Sequence, residues 1–335
     1  MAAAADWGFW LIGRVKPGRV AHAMASRRET EMMRALMGLA LAAALLAAPA
    51  AAEPAFQDRY ADNAGVKIHY TAAGEGPLVV LIHGFGDTWH TWRPLMDDLD
   101  EHYRVAAMDL RGWNLSDKPK GVEAYAYPHL IADVAAVIRA EGRQGAIVVG
   151  HDWGGGIAWR VATDRPELVQ RLVVLSTPHP AGLSRELATN PQQQRNAEYA
   201  RGFMKPGSEA ALTAEGMANW VKDPTQKARY VEAYKRSDFA AMMNLYRANY
   251  PKDEAEAAAA NTRALAMPKI KVPTLIVHGL NDTSLMAAGH NSAWTFVEAD
   301  TTLVMVPGAG HFVQADAPAL VNRAIEDWLA ARPVK

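Results

Sequence analysis

The sequence predicts an α/β fold, with a mostly parallel sheet flanked by helices and a helical insertion interrupting it. Three observations carry this. Short apolar runs alternate with amphipathic stretches from Tyr70 onward. Those runs are continuous, which suits parallel strands buried on both faces. The rhythm then breaks from Pro178 to about Met267, where helical composition takes over, and strands resume after it.

Each element follows in order. Leu78 to Ile82 is a buried strand closed by Gly84, and Trp89 to Leu99 has helical spacing. Tyr103 to Met108 reads as the next strand. Leu130, Val134 and Ile138 share one helical face. Ala146 to Val149 is a third strand, ended by Gly150, and Ile157 to Ala162 begins another helix. Leu172 to Leu175, Thr274 to Val277 and Leu303 to Val306 are further strands, and Val321 to Leu329 closes the chain as a helix. Strand–helix alternation implies right-handed crossovers. No internal repeat or low-complexity segment follows residue 55.

Composition narrows the function classes. The 335 residues are 50% hydrophobic and 21% charged, with a net charge of −1. That is an ordinary globular balance, with no charge imbalance that would attract nucleic acid or an anionic membrane. There are no cysteines, so disulfides, thiolate catalysis and Cys-ligated zinc are excluded. Neither a metal nor a cofactor is called for. A homodimer is left open.

The N-terminal residues read differently. Arg34 precedes a small-residue apolar run from Ala35 to Ala48, followed by Pro49 and Ala50-Ala51-Ala52-Glu53. This is the pattern of a secretory signal peptide, and the run is short for a membrane span. The long stretch before it, with Trp7 and Trp10, is unusual for a signal and points to a start near Met32 or Met33. The expected organisation is residues 1–52 as N-terminal extension and signal peptide, 53–177 and 269–335 as core, and 178–268 as a helical lid. A lid there covers the strand ends where such sheets bind ligands. The mature protein is expected to be periplasmic or secreted, with no stable membrane anchor after signal cleavage.

The sharpest chemical signal is Gly150-His151-Asp152-Trp153-Gly154-Gly155. A strand ends, glycines flank one polar residue, and a helix begins. This is the setting of a nucleophile elbow. A carboxylate there is already charged at neutral pH, and a helix N-terminus stabilises it. An Asp serving only as a helix N-cap is the plainer alternative. Carboxylate attack gives an ester that water must hydrolyse, which needs a base and a group to orient it. His311 follows the last strand on Pro307-Gly308-Ala309-Gly310-His311-Phe312, and Asp282 follows the preceding strand on Val277-His278-Gly279-Leu280-Asn281-Asp282. Nucleophile, acid and histidine occur in the chain order of α/β-hydrolases. The expected catalytic triad is Asp152, His311 and Asp282. The expected oxyanion hole is the N–H groups of Phe85 and Trp153, with His83 a structural loop residue.

These motifs, with His83-Gly84-Phe85-Gly86, Asp109-Leu110-Arg111-Gly112, Ser116-Asp117-Lys118-Pro119 and Thr177-Pro178-His179-Pro180, resemble epoxide hydrolases of the α/β-hydrolase fold. The resemblance covers roughly residues 55 to 332 and extends to haloalkane dehalogenases. It implies a small hydrophobic epoxide as substrate. It also implies two lid tyrosines that bind and protonate the epoxide oxygen. Tyr199 in Tyr199-Ala200-Arg201-Gly202-Phe203 and Tyr246 in Asn244-Leu245-Tyr246-Arg247 match their settings. Opening an ether leaves an alkoxide, a poor leaving group unless an acid donates to it. Tyr230, Tyr234 and Tyr250 are read as packing residues. Two positions depart from the family pattern. Gly86 stands where a proline is usual, and Asn114 where a glycine is usual. Asn tolerates a left-handed backbone.

Two other readings stay open, and a third, the haloacetate dehalogenase, is argued against. A haloalkane dehalogenase would keep the triad and hold halide with Trp153 and a second donor. Phe85 replaces the expected Asn donor, but a lid tryptophan such as Trp220 is available. A haloacetate dehalogenase would need arginines where Trp153 and Gly156 stand. A catalytically silent member binding a ligand or partner is the reading of another class.

Overall fold

The computed structural model describes residues 56–334. The N-terminal extension, the signal peptide and the expected start of the core at residue 53 lie outside the described residues.

An eight-stranded sheet forms the centre. Its strands are β1 (Gln57–Asn63), β2 (Val66–Ala73), β3 (Leu78–Ile82), β4 (Arg104–Met108), β5 (Ala146–His151), β6 (Val169–Leu175), β7 (Thr274–Gly279) and β8 (Thr301–Val306). The spatial order is β1-β2-β4-β3-β5-β6-β7-β8. From β4 to β8 every pairing is parallel. All residues of β3, β5 and β7 are buried, as their unbroken apolar runs require.

The first two strands are not in the sequence-based expectation. They pair antiparallel with each other, and β2 pairs antiparallel with β4. Their turn, Ala64-Gly65, has both residues at positive φ, 53° and 89°. Asn-Gly or Asp-Gly normally advertises such a turn, and Ala64 hides it. The face of β1 is mostly exposed, so it lacks an apolar run as well.

Helices cover both faces of the sheet. They are α1 (Arg93–Leu99), α2 (Tyr127–Ala140), α3 (Trp153–Asp164) and, after the last strands, α11 (Val313–Asp316) and α12 (Pro318–Ala330). The stretch from Trp89 begins as a 3-10 turn, Trp89–Trp92, before α1. One apolar cluster joins Ile82, Val148, Val174 and Ile276 to Val134 and Ile157. The other joins Leu81, Val149, Val173 and Val277 to Leu95, Val321 and Ile325. Alternate residues of each strand therefore feed opposite layers.

Between β6 and β7 the chain is helical. It forms α4 (Pro180–Thr189), α5 (Pro191–Asn196), α6 (Glu198–Met204), α7 (Ala214–Met217), α8 (Pro224–Lys235), α9 (Phe239–Asn249) and α10 (Glu254–Leu265). Many starts are explicit in sequence. Asn190, Thr213, Asp223, Asp238 and Asp253 each accept a backbone N–H as N-caps. Tyr230, Tyr234, Leu245 and Tyr246 join the first core cluster, so the insertion is packed onto the core.

The loop after β4 is fixed from inside. Arg111 is buried and forks onto Asp133, with contacts of 2.7 and 2.6 Å. Removing either partner would strand the other charge, at a cost of about 3–5 kcal/mol. Asn114 has φ 38°, the backbone that its replacement of glycine anticipates, and its side chain donates to Asp109 at 2.8 Å.

Candidate active site

The elbow forms where β5 meets α3. Asp152 has φ 52° and ψ −121°, a conformation that costs a non-glycine residue about 1–3 kcal/mol. The turn is tight enough that a Cβ on Gly150 would strike Gly154, and one on Gly154 would strike the Ile82 carbonyl. Thr177 braces it by donating to the Asp152 carbonyl at 2.9 Å, and Trp159 Nε1 in turn holds the Thr177 carbonyl at 3.1 Å. This gives the Thr177-Pro178 motif a physical role at the turn.

Asp152 sits at the N-cap position of α3, yet its side chain makes no capping bond. It turns away into the protein, where Oδ1 accepts the Phe85 N–H at 2.7 Å. Oδ2 lies 3.3 Å from His311 Nε2. On the far side of the imidazole, His311 Nδ1 lies 2.8 Å from Asp282 Oδ2. Asp282 Oδ1 accepts the N–H groups of Ser284 at 2.7 Å and Leu285 at 2.9 Å. With Nδ1 donating to Asp282, Nε2 is the nitrogen that faces Asp152.

Electrostatics favour an ion pair. Burial works against a charged Asp152, but the hydrogen bond and charge of His311 hold its carboxyl below the ordinary value, with the Trp153 N–H assisting. Burial likewise opposes His311 ionisation, and bonds to both carboxylates overcome it, lifting the imidazole to about 10. Asp282 is held low against burial by His311 and the Leu285 N–H.

The insertion supplies the facing wall. Tyr246 is buried, with its ring edge-on to Trp153 at 4.9 Å and to Phe85 at 5.1 Å. Tyr199 stands edge-on to Tyr246 at 6.4 Å and is 39% exposed. Burial of the hydroxyl raises both phenols above their ordinary pKa, and the Asp152 charge pushes the same way. Both therefore stay protonated at neutral pH.

Two cavities meet at Asp152, Tyr199 and Tyr246. One, of about 320 Å³, runs past Trp153, Leu183 and Met267. The other, of about 290 Å³, runs past Phe203, His311 and Phe312. Tyr250, read from sequence as packing, lines the first cavity. Tyr230 donates instead to Asp87 Oδ1 at 2.7 Å, away from Asp152. His83 accepts the Leu110 N–H at 3.1 Å and donates to the Gly84 carbonyl at 2.8 Å, tying two loops together.

Two buried residues near the site have no signal of their own in the sequence. His151 Nε2 donates to the His311 carbonyl at 2.8 Å. Its Nδ1 lies 3.9 Å from Asp87 Oδ2. Burial raises the Asp87 carboxyl to about 7 and lowers His151 to about 4. Asp87 sits just past the His83-Gly84-Phe85-Gly86 motif and His151 just before Asp152, so proximity to both motifs is the signal that could have found them.

Residues 77–318 match the α/β hydrolase fold family. The sequence is 33% identical over 287 residues to the AB hydrolase superfamily protein YfhM of Bacillus subtilis, covering 81% of this chain and 97% of the relative. It is 30% identical over 287 residues to epoxide hydrolase 3 of Xenopus tropicalis, covering 80% and 76%. Among solved structures, a Bacillus megaterium epoxide hydrolase in complex with an inhibitor superposes with a TM-score of 0.77 at 29% identity, covering 81% of this chain and all of that one.

Proposed function

The chain belongs to the α/β-hydrolase fold family, and on that premise we infer that it is an epoxide hydrolase, converting an epoxide and water to a vicinal diol. The observation that carries this reading is the meeting of a charged carboxylate and two protonated tyrosines at the junction of two cavities. A carboxylate needs no proton removed before it attacks, and a phenol supplies the proton that an alkoxide needs.

The roles follow from the geometry. Asp152 attacks an epoxide carbon. As that bond forms, the carbon–oxygen bond of the ring breaks and the oxygen takes a proton from Tyr246 or Tyr199. Esterification removes the Asp152 charge, one of the two carboxylate charges that hold His311 protonated. The imidazolium then yields its proton, restoring the tyrosine, and becomes a base. Water gives a proton to His311 Nε2 as its oxygen adds to the Asp152 carbonyl carbon. The N–H groups of Phe85 and Trp153 hold the resulting oxyanion. The ester bond breaks, the diol oxygen takes the proton from His311, and Asp152 passes its own proton back to His311. Asp282 keeps the ring oriented throughout. The helical insertion acts as the lid that carries the tyrosines and excludes bulk water.

Three features speak against halide chemistry. The Trp220 indole N–H already donates to the Gly86 carbonyl at 2.9 Å, so it is committed within the protein. Phe85 offers no side-chain donor in the place of an Asn. The facing donors are phenols. Incubation with a styrene-oxide-like epoxide is expected to release diol, whereas a haloalkane of similar size is expected to release no halide. The reverse outcome overturns the assignment.

The N-terminal segment supports export. Arg34, the run from Ala35 to Ala48 and Ala50-Ala51-Ala52 have the order of a cleaved signal, placing the mature start near Glu53 and the protein in the periplasm or outside the cell. Among the described residues, no helix is long and apolar enough to cross a membrane. N-terminal sequencing of exported protein is expected to begin near Glu53; finding Met1 or Trp7 contradicts export.

A further inference from the structure

Trp220 lies in the insertion between α7 and α8 and touches two core loops at once. Its indole N–H donates to the Gly86 carbonyl at 2.9 Å. Its ring stacks on Phe312, with centroids 4.0 Å apart and planes 9° from parallel. Gly86 directly follows Phe85, whose N–H holds the Asp152 carboxylate. Phe312 directly follows His311. One side chain from the insertion thus bears on the neighbours of both the amide donor and the base.

The backbone of Gly86 permits this contact. Its φ is 76°, whereas a proline is locked near −65°. The conformation that offers the carbonyl to Trp220 is therefore closed to proline. A ring at this position would stiffen the loop from within; here stiffness comes from outside, through a hydrogen bond to the insertion. The neighbouring contacts point the same way. Trp220 stands edge-on to Tyr230 at 5.4 Å, and Tyr230 holds Asp87 on the same loop at 2.7 Å. Gln314, just beyond Phe312, donates to Asp87 at 3.3 Å and to Thr91 at 3.2 Å.

We propose that Trp220 is a positioning residue that clamps the Phe85 loop and the His311 loop together, so that ester hydrolysis depends on the insertion being seated on the core. The chemistry of this proposal rests on the epoxide hydrolase reading. The two half-reactions depend on the clamp unequally. Attack by Asp152 uses its own carboxylate and the tyrosine donors. Hydrolysis uses His311 as base and the Phe85 N–H as oxyanion donor, and both sit beside the clamp. Loss of an oxyanion donor costs about 10²–10³ in rate, and loosening one costs less.

The test uses Trp220→Phe, which keeps a ring for stacking and removes the N–H donor, alongside Trp220→Ala. Rapid-quench mass analysis with a styrene-oxide-like epoxide follows ester formation and decay. In Trp220→Phe, decay is expected to slow about 10-fold while formation changes less than about 2-fold, so that ester accumulates and kcat and KM fall together. Equal loss in both steps, or none in decay, overturns the clamp. Hydrogen–deuterium exchange is a second arm that needs no turnover. Segments 84–88 and 310–314 are expected to exchange about 10-fold faster in the variant, with β5 and β6 unchanged. Unchanged exchange in both segments also overturns it. Should Trp220→Ala not fold, Trp220→Phe carries both arms alone. Wild-type protein that forms no diol would sink the functional reading, while the exchange arm still decides the clamp.

Discussion

At the ends of the core strands, Asp152, His311 and Asp282 are arranged to separate charge. Hydrogen bonds overcome burial, drawing the carboxylates down and lifting the imidazole to about 10. In the insertion, Tyr199 and Tyr246 meet the opposite fate, because burial raises their phenols and keeps them neutral. On the proposed reading, the difference shows how one pocket offers an anion and a proton donor at once. A strained ether needs an attacking anion on one side and a proton donor on the other. A carboxylate is already a much weaker base than a phenolate, so the anion leaves the donor its proton even in a shared environment. The opposed environments widen that gap, drawing Asp152 down and pushing both phenols up.

Breaking the charged side is expected to have the largest effect. Asp152→Ala should lower diol formation by on the order of 10⁴-fold, measured with an aryl epoxide, because no carboxylate remains to form the ester. A loss of about 10-fold or less would move the nucleophile elsewhere. His311→Gln should still be alkylated and then stall. Intact-mass analysis is expected to show an increase equal to one substrate; an unmodified chain under saturating epoxide would mean that His311 acts before the ester forms.

The neutral side should yield smaller, graded losses. Tyr246→Phe, at a buried position edge-on to Trp153, is expected to cost about 100-fold in ester formation, and Tyr199→Phe about 10-fold, since the remaining phenol can still donate. Equal losses would make the two donors equivalent. The smallest expected effect concerns stability. His311 rises from 6.5 to about 10 in the folded chain, so its contribution is complete below 6.5, declines as pH climbs and is lost near 10. The melting-temperature gap between wild type and His311→Gln should narrow across that range. A constant gap would mean that His311 is not held as the cation.

The contrast between the two regions also governs what the sequence reveals. Core strands such as Leu78–Ile82 and Thr274–Gly279 are buried on both faces, so each carries an apolar run, the whole of the first and Leu275–Val277 in the second, and the glycines around Asp152 mark a turn that tolerates little else. Strand β1 is legible to neither test, because its face is exposed and its turn uses Ala64. Trp220 reads from sequence as a candidate halide donor under the dehalogenase alternative. Only the tertiary packing, which brings residues 134 positions apart to 2.9 Å, shows that its N–H is taken. Asp87 and His151 escape for the same reason, since their meeting depends on the register of β3 beside β5.

If Asp152 is the nucleophile, one of its carboxylate oxygens enters the product. A single turnover in heavy-oxygen water, with enzyme in excess over epoxide, tests this most directly. The diol should carry only ordinary oxygen, and the peptide containing Asp152 should gain one heavy oxygen, because water attacks the ester carbonyl and the original carboxylate oxygen leaves with the product. A labelled diol with an unlabelled Asp152 peptide would mean direct attack by water and would contradict the account.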